Sequence, residues 1–138
     1  MQRSIELENY MVKRPVSISP DASIFEAARK ILEFKVSGVC VVDENNKLVG
    51  MLSELDCLRA VVDKVYMRGD AGAGMVSDVM TRNVEVNHPH DQITNVATSM
   101  LKHKHRRRPV VVDGKLVGLV SCRQILKAIK DFATPANP

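Results

Sequence analysis

Lys47-Leu-Val-Gly50 recurs as Lys115-Leu-Val-Gly118, and a serine follows each copy three residues later, Ser53 in the first and Ser121 in the second. The correspondence extends downstream and upstream, pairing Leu58 with Leu126, Met11 with Met80, Pro20 with Pro89, Ile24 with Ile93, Ala28 with Ala97, Leu32 with Leu101, and Val41-Val42 with Val110-Val111. Matches at apolar and turn positions over about fifty residues indicate an internal repeat. Two copies are too few for a solenoid, so we expect a pair of lobes packed face to face.

Each copy has the same order of predicted elements: strand, helix, strand, strand, helix. The first extended stretch is Pro15-Val-Ser-Ile18 in copy one and Val84-Glu-Val86 in copy two. Ser23 and Glu26 have the spacing of a capping box, and Asp91 can cap the helix of copy two. Apolar residues then recur at helical spacing, at Ile24, Ala27, Ala28, Ile31 and Leu32 in copy one and at Ile93, Val96, Ala97, Met100 and Leu101 in copy two.

A predicted hairpin and a second helix complete each copy. The second hairpin turns at Asp113-Gly114, and Asp-Gly between β-branched runs is a strong hairpin signal. The closing helices are expected at about 54–67 and 122–132. We therefore predict a first repeat over residues 8–67, a small-residue linker over 68–75, and a second repeat over 76–133, together one compact module.

Composition narrows the class of protein. The chain has 138 residues, of which 45% are hydrophobic and 26% charged, as in an ordinary globular domain. Three cysteines with no close pair (Cys40, Cys57 and Cys122) predict neither a disulfide framework nor a Cys-rich zinc site. No apolar run approaches the roughly 18 residues of a membrane span. The expectation is a soluble cytoplasmic protein with reduced thiols.

Positive charge is concentrated in the second half. Residues 79–138 carry ten Lys and Arg against four Asp and Glu, whereas residues 1–78 carry ten against twelve. The focus is the run Arg106, Arg107 and Arg108, which favours an anionic partner such as a phosphate, a nucleic acid or an acidic protein surface. Aromatic residues are only 4% of the chain, so a base-stacking platform for nucleic acid is not favoured.

The combined pattern resembles the cystathionine-β-synthase (CBS) domain over about residues 8–132. The motifs that carry the resemblance are Met-x-x-x-Pro-Val (11–16), Val-Ser-Gly-Val-x-Val-Val-Asp (36–43) and Leu-Val-Gly-x-x-Ser-x-x-Asp (48–56). The resemblance implies an α/β (α+β) fold of two βαββα repeats packed with pseudo-twofold symmetry. It also implies clefts between the repeats that bind AMP, ADP, ATP or S-adenosylmethionine.

The resemblance assigns candidate ligand residues to the third motif. In ligand-binding family members its Ser and Asp face the ribose, and here these residues are Ser53 and Asp56. The equivalents in copy two are Ser121 and Gln124, where the amide lacks the charge-assisted hydrogen bond of a carboxylate. We therefore expect the second site to be weaker, empty or altered in specificity.

The same resemblance implies a phosphate side and an adenine side of the site. A basic pair in some family members contacts nucleotide phosphates at the position of Arg106 and Arg107, and a guanidinium fork suits phosphate. The full set of further expected ligand contacts is Arg108, Ser37, Gly38 and Val39 before or in the first hairpin strand, and Lys13, Arg14, Pro15 and Val16 along the adenine cleft.

Ordinary alternatives remain for these residues. Ser53 and Asp56 also have the spacing of a plain helix N-cap, and the arginine run also fits a solvated turn. His88-x-His90 and His103-x-His105 are interpreted as turn and surface residues, because no Cys or carboxylate trio supports a metal there.

The leading hypothesis is a non-enzymatic regulatory module, because no catalytic arrangement can be assembled from the sequence. It would bind an adenosine nucleotide or S-adenosylmethionine, form a homodimer and modulate a partner protein of unknown identity. No metal and no required cofactor are expected, and neither is a membrane partner. The alternative is a ligand-free structural or protein-interaction module, with nucleic-acid binding less favoured.

Overall fold

The chain forms two compact units in the computed structural model, which describes residues 5–67, 69 and 73–133. The first, here called the central unit, is Pro15–Val84. The second, the split unit, combines Met1–Arg14 with Glu85–Pro138. Of the predicted linker, residues 68 and 70–72 lie outside the described residues. The repeat boundaries 8–67 and 76–133 stay a prediction about sequence, because the compact units divide the chain at other points.

The central unit contains one three-stranded sheet. Its strand order is β2 (Ser17–Ile18), β3 (Gly38–Val42) and β4 (Leu48–Ser53), with β2 parallel to β3 and β3 antiparallel to β4. The helices of this unit are α1 (Ile24–Phe34), α2 (Glu54–Val61), a π-helical turn (Val62–Met67) and α3 (Val76–Val79).

The split unit contains a second three-stranded sheet. Its strand order is β1 (Val12–Lys13), β6 (Lys115–Ser121) and β5 (Arg107–Val112), and both pairings are antiparallel. A 3-10 helix (Leu7–Asn9) precedes β1, and the unit's α-helices are α4 (Ile93–His103) and α5 (Cys122–Ala133). Helices and small sheets in both units confirm the α+β class. No helix in the described part of the chain has the length and apolarity to cross a bilayer.

The local signals at the element ends were largely correct. Ser23 caps α1 through a hydrogen bond from the Glu26 amide to its hydroxyl at 3.1 Å. Asp113 and Gly114 both have positive φ, as the tight hairpin turn between β5 and β6 requires. The prediction that Asp91 caps α4 is wrong, because Gln92 is the N-cap residue. The Asp91 carboxylate instead accepts hydrogen bonds from Asn87 Nδ2 and the His88 amide, each at 2.9 Å.

The extended stretch predicted at 84–86 does not form a strand in the structure. Pairing with β5 is limited to a parallel bridge between Asn87 and Val110, at the position where Ile18 pairs with Val41 in the central unit. The Asn87 amide donates to the Pro109 carbonyl at 3.0 Å. Asn87 also bonds with its side chain, so a polar group stands where the central unit places the core residue Ile18.

Each unit has its own hydrophobic core, formed by most of the residues on the predicted helix faces, but Leu32 and Leu101 of those faces are 77% and 80% exposed. The central core contains Ile18, Ile24, Ala27, Ile31, Val39, Val41, Leu52, Cys57, Ala60, Ala73, Val76 and Met80. The core of the split unit contains Leu7, Ile93, Val96, Met100, Val110, Val120, Ile125 and Ala128. Leu7 and Val76 therefore contribute to cores built mainly from the other sequence copy.

Two methionines show that each unit includes a segment from the other sequence repeat. Met80 begins the second repeat in sequence, yet its sulfur lies 2.8 Å from the position where a Cβ would stand on Gly50. Met11 lies in the same relation to Gly118, with its sulfur 2.5 Å from that position. The glycines of the two Leu-Val-Gly motifs are thus required by close approach of a methionine, and the segments around Met11 and Met80 are exchanged between repeats.

Candidate functional site

Ser53 and Asp56 form a complete capping box at the start of α2. The Asp56 amide donates to the Ser53 hydroxyl at 3.0 Å, and the Ser53 amide donates to the Asp56 carboxylate at 2.9 Å. Arg59 lies 3.7 Å from the same carboxylate, whose side chain is 20% exposed. Burial and the nearby Asp56 charge raise the pKa of the Cys57 thiol. The box fixes both polar side chains at the C-terminal end of β4 and leaves them partly open to solvent.

The predicted neighbours of this box lie beside it in the central unit. Gly38 pairs with Ser53 across β3 and β4, and the Glu54 amide donates to the Ser37 carbonyl at 2.9 Å. Val16 is tied to the same sheet, because its carbonyl accepts a hydrogen bond from the Cys40 amide at 3.1 Å. Val39 is buried in the core, with only 1% of its surface exposed, and ligand contact by this residue stays a prediction.

The split unit contains the equivalent arrangement with different side chains. Arg107 pairs with Ser121 across β5 and β6, as Gly38 does with Ser53, and the Cys122 amide donates to the Arg106 carbonyl at 2.9 Å. Gln124 Oε1 accepts from the Ser121 amide at 2.7 Å and also from the Ser121 hydroxyl. The two polar side chains of the second motif therefore bond to each other. That the second site is weaker, empty or altered in specificity stays a prediction.

The three arginines have different environments although they are consecutive. Arg106 is exposed and Arg107 partly exposed, whereas Arg108 is only 2% exposed. The Arg108 guanidinium lies among polar side chains: Nε donates to His105 Nδ1 at 3.0 Å, one terminal nitrogen donates to Asn87 Oδ1 at 3.5 Å, and the other lies 3.4 Å from His103 Nδ1. Ligand contact by Arg108 stays a prediction, and its burial favours a supporting role beneath Arg106 and Arg107.

The surroundings of Arg108 also affect the protonation of His105, one of the histidines that the sequence suggested were turn and surface residues. Burial, the Arg108 charge and His103 lower the pKa of His105, while Glu85 opposes the shift. A neutral His105 is needed for Nδ1 to accept the hydrogen bond from Arg108. His103, His105 and Asn87 are thus the polar residues that sequence reasoning did not connect with Arg108. For His103 and His105 the signal in the sequence was their short separation from the arginine run, whereas Asn87 lies 21 positions from Arg108.

The predicted adenine wall, residues 13–16, crosses the boundary between the two units. Lys13 belongs to β1 and pairs with Gly118, and Arg14 has a φ of 54°, a conformation that few non-glycine residues adopt. Pro15 and Val16 begin the central unit. A contribution of this segment to ligand binding stays a prediction.

A large groove lies elsewhere, at the opposite end of the central sheet. It has a volume of about 750 Å³ and contains none of the predicted ligand residues. Its charged lining is acidic except for Lys30, whose amino group donates to the Ser17 carbonyl at 2.6 Å. The acidic side chains are Asp21, Glu26, Asp43 and Glu44. A groove of this charge does not suit a phosphorylated ligand, so the motif ends of the two sheets are the better candidates.

Comparison with known proteins establishes the class. The family model of the CBS domain matches residues 7–63 and 76–131, so the chain belongs to the CBS domain family and contains two copies. A protein of Methanocaldococcus jannaschii is 31% identical over 119 residues, which is 86% of this chain and 41% of that protein. Inosine-5'-monophosphate dehydrogenase of Staphylococcus epidermidis is 31% identical over 94% of this chain and 25% of the enzyme. The chain thus spans less than half the length of these curated relatives.

Solved structures resemble the chain over nearly its whole length. The crystal structure of CBSX2 in complex with AMP superposes with a TM-score of 0.83 at 27% identity, covering 95% of this chain and 100% of that one. CBSX2 has also been solved as a CBS-pair protein from Arabidopsis thaliana. The CBS domain pair of the protein MJ0100, in complex with 5'-methylthioadenosine and S-adenosylmethionine, has a TM-score of 0.79 at 26% identity, covering 92% and 97%. The chain is accordingly a tandem CBS pair.

Proposed function

We propose that this CBS pair is a non-catalytic regulatory module that binds an adenosine-type ligand. The observation that carries the proposal is the Ser53–Asp56 box, which holds a hydroxyl and a partly exposed carboxylate at the motif position of a CBS repeat. A carboxylate can accept hydrogen bonds from both ribose hydroxyls. Structural relatives in complex with AMP and with S-adenosylmethionine support the same ligand class. Within the described residues Cys40, Cys57 and Cys122 form no disulfide, which suits the reducing cytoplasm in which we place the module.

The proposed mechanism is a shift in population between conformations that bind the ligand with different affinity. A ligand can shift this equilibrium only by the difference between its affinities for the two states. Arg106 and Arg107 are the proposed phosphate contacts, because they stand exposed and partly exposed at the start of β5. The regulated partner protein would recognise one of the two states.

Calorimetry with AMP, ADP, ATP and S-adenosylmethionine tests the ligand class directly. We expect at least one of them to bind with a dissociation constant below the millimolar range. Asp56→Asn should weaken that binding by about tenfold, since it removes the charge-assisted hydrogen bonds to ribose but keeps an oxygen that can cap α2. Asp78→Asn is the matched control, because Asp78 caps α3 in the same way through the Met75 amide at 2.9 Å.

The phosphate side needs a separate measurement. Arg107→Ala should weaken AMP, ADP or ATP and leave adenosine binding unchanged, because adenosine has no phosphate for the guanidinium to contact. Arg29→Ala, which removes an exposed arginine from α1, is the control for loss of one positive charge. Equal losses for AMP and adenosine would contradict the assignment of Arg107.

The exposed helix surfaces support the proposed homodimer. Repeat-equivalent leucines are exposed in both units: Leu32 (77%) on α1 matches Leu101 (80%) on α4, and Leu58 (60%) on α2 matches Leu126 (68%) on α5. In the split unit the two helices border an apolar groove of about 290 Å³. A second copy of the chain offers the same apolar faces, so it is the occupant that we propose.

Sedimentation velocity tests the dimer. Leu126→Asp should convert the dimer to monomer, because it places a charge in an apolar contact, whereas Val86→Asp, at an exposed position outside the helix faces, should not. A wild-type chain that sediments as a monomer at all concentrations would contradict this part of the proposal.

One observation favours the second candidate, a ligand-free interaction module. Gln124 accepts from both the amide and the hydroxyl of Ser121, so the second motif offers less to a ligand than the first. The two candidates differ in thermal stability: a ligand of the folded state raises the melting temperature in step with its concentration, and an interaction module shows no such rise. Recovery of the same partner protein with and without nucleotide would support the alternative.

A further inference from the structure

Three potential metal ligands from distant parts of the sequence meet on the surface of the split unit. His90 Nδ1 lies 3.1 Å from Glu6 Oε2 and 4.0 Å from Glu8 Oε1. All three ligand atoms lie within 4.8 Å of one another. No local pattern connects these residues, because 84 positions separate Glu6 from His90. The carboxylates whose absence argued against a metal site at His90 are supplied by the N-terminal segment.

The backbone holds the two segments in fixed register. The Leu7 amide donates to the Asp91 carbonyl and the Glu8 amide to the Pro89 carbonyl, each at 2.9 Å. Leu7 stands between the two glutamates in the sequence, and its side chain is fully buried. The turn that carries both carboxylates is therefore anchored. The ligand atoms need only side-chain rotation to adjust, because the side chains of Glu6, Glu8 and His90 are 44%, 43% and 63% exposed.

The central unit repeats this backbone frame without the ligands. The Val76 amide donates to the Ala22 carbonyl at 2.9 Å and the Ser77 amide to the Pro20 carbonyl at 3.0 Å, the same two bonds one repeat later. The positions equivalent to Glu6, Glu8 and His90 are Met75, Ser77 and Asp21. Because the frame forms equally well with these side chains, the fold does not require a histidine and two glutamates there.

We infer that Glu6, Glu8 and His90 form a surface site for a divalent transition metal, with Zn²⁺ as the best match. One imidazole nitrogen and two carboxylate oxygens are a ligand set that Zn²⁺ accepts, with water in the remaining position. Two carboxylates that share one imidazole repel each other, and a divalent cation removes that repulsion. Mg²⁺ and Ca²⁺ prefer all-oxygen ligand sets, so the imidazole selects against them.

Calorimetry with ZnCl₂ on tag-free protein stripped with EDTA tests this site. We expect one Zn²⁺ per chain with micromolar affinity, and no binding of Mg²⁺ under the same conditions. His90→Ala should weaken Zn²⁺ binding by at least about tenfold. Glu8→Gln should weaken it as well, because it removes one anionic ligand and changes little else. Asp21→Ala, the same position in the central unit, is the matched control and should leave the affinity unchanged.

Circular dichroism of the two variants confirms that they fold, as the exposure of both side chains leads us to expect. Absence of Zn²⁺ binding by the wild-type chain would overturn the inference and leave the cluster as a surface ion pair. Binding that persists unchanged in both His90→Ala and Glu8→Gln would also overturn it, since the metal would then be held by other residues. Adenosine-ligand binding is measured on different residues, so either result is independent of the proposed function.

Discussion

At the scale of single residues, the arginine run shows that charged side chains close together in sequence can have very different environments. Arg106 precedes β5 and is exposed, whereas Arg108 lies inside the strand and is buried. A buried guanidinium needs hydrogen-bond acceptors, and here Asn87 Oδ1 and His105 Nδ1 supply them. Arg108 therefore stabilises the base of the strand on which the proposed phosphate contacts stand.

Replacement of Arg108 should destabilise the fold. Arg108→Met keeps much of the side-chain volume but leaves the partly buried acceptors Asn87 and His105 without this donor, at a cost of about 1–3 kcal/mol in the free energy of unfolding. Arg106→Met removes the same charge from an exposed side chain and should change stability by less than about 0.5 kcal/mol. Urea denaturation of the two variants measures both costs. Equal costs would contradict a stabilising role for the hydrogen bonds of the buried Arg108 guanidinium.

The same cluster predicts a dependence of stability on pH. The pKa of His105 is lowered in the folded chain, so between that pKa and about 6.5 the unfolded chain binds a proton that the folded chain does not. This contribution is complete above pH 6.5 and is lost as the pH falls through the folded pKa. His105→Asn keeps an acceptor for Arg108 without a titrating group.

Urea denaturation at pH 7.5 and 5.5 measures this contribution. The wild-type chain should lose more stability between these values than His105→Asn does, and the difference between the two chains isolates His105 from the other histidines. A difference of zero, or a larger loss in His105→Asn, would contradict the lowered pKa.

At the scale of elements, the glycines of the two Leu-Val-Gly strands are explained by the residues that pack on them. Gly50 lies in β4 beneath Met80 and the Thr81 carbonyl, and Gly118 lies in β6 beneath Met11. The Met51 and Thr81 backbones exchange hydrogen bonds at 2.9 Å, which fixes the chain above Gly50. The glycines therefore permit a second segment to approach each strand closely.

The two glycines should differ in their tolerance of alanine. In Gly50→Ala the new Cβ would stand 2.7 Å from the Thr81 carbonyl oxygen, which is backbone and cannot rotate away. In Gly118→Ala its three nearest neighbours would be side-chain atoms of Met11, which can move. Overpacking typically costs about 1–3 kcal/mol, so we expect Gly50→Ala near the upper end and Gly118→Ala near the lower. Chemical denaturation measures both, and a reversed order would contradict this account.

At the scale of the whole molecule, the sequence repeats and the compact units are divided differently. The turn at Leu7–Asn9 and the strand Val12–Lys13 precede the first repeat's own sheet in sequence, yet they pack in the unit formed by the second repeat. The stretch 75–81 does the same for the central unit. Each unit therefore includes a segment that belongs to the other repeat in sequence. As a result, N-terminal residues support a core whose remaining residues begin some eighty positions later in the chain.

Truncation of Leu7 tests this arrangement. Leu7 is fully buried in the core of the split unit, so Leu7→Ala should cost about 2–5 kcal/mol. Ile5→Ala, two residues earlier and 41% exposed, should cost much less. Hydrogen exchange read by mass spectrometry should show the loss of protection in Leu7→Ala within residues 85–133. Loss confined to residues 15–67 would contradict the assignment of the N-terminal segment.

Local spacing in the sequence predicted the repeat, most helix starts and most of the element order, with the strand at 84–86 as an exception that does not form. The signals were apolar periodicity, Ser23 before α1 and Asp113-Gly114 between strands, and they also placed Ser53 and Asp56 at the start of α2. The burial of Arg108, the packing of Met80 on Gly50 and the approach of Glu6 to His90 are evident from the three-dimensional structure alone. These relations depend on segments distant in the chain, and packing against a common core, rather than local propensity, brings such segments together.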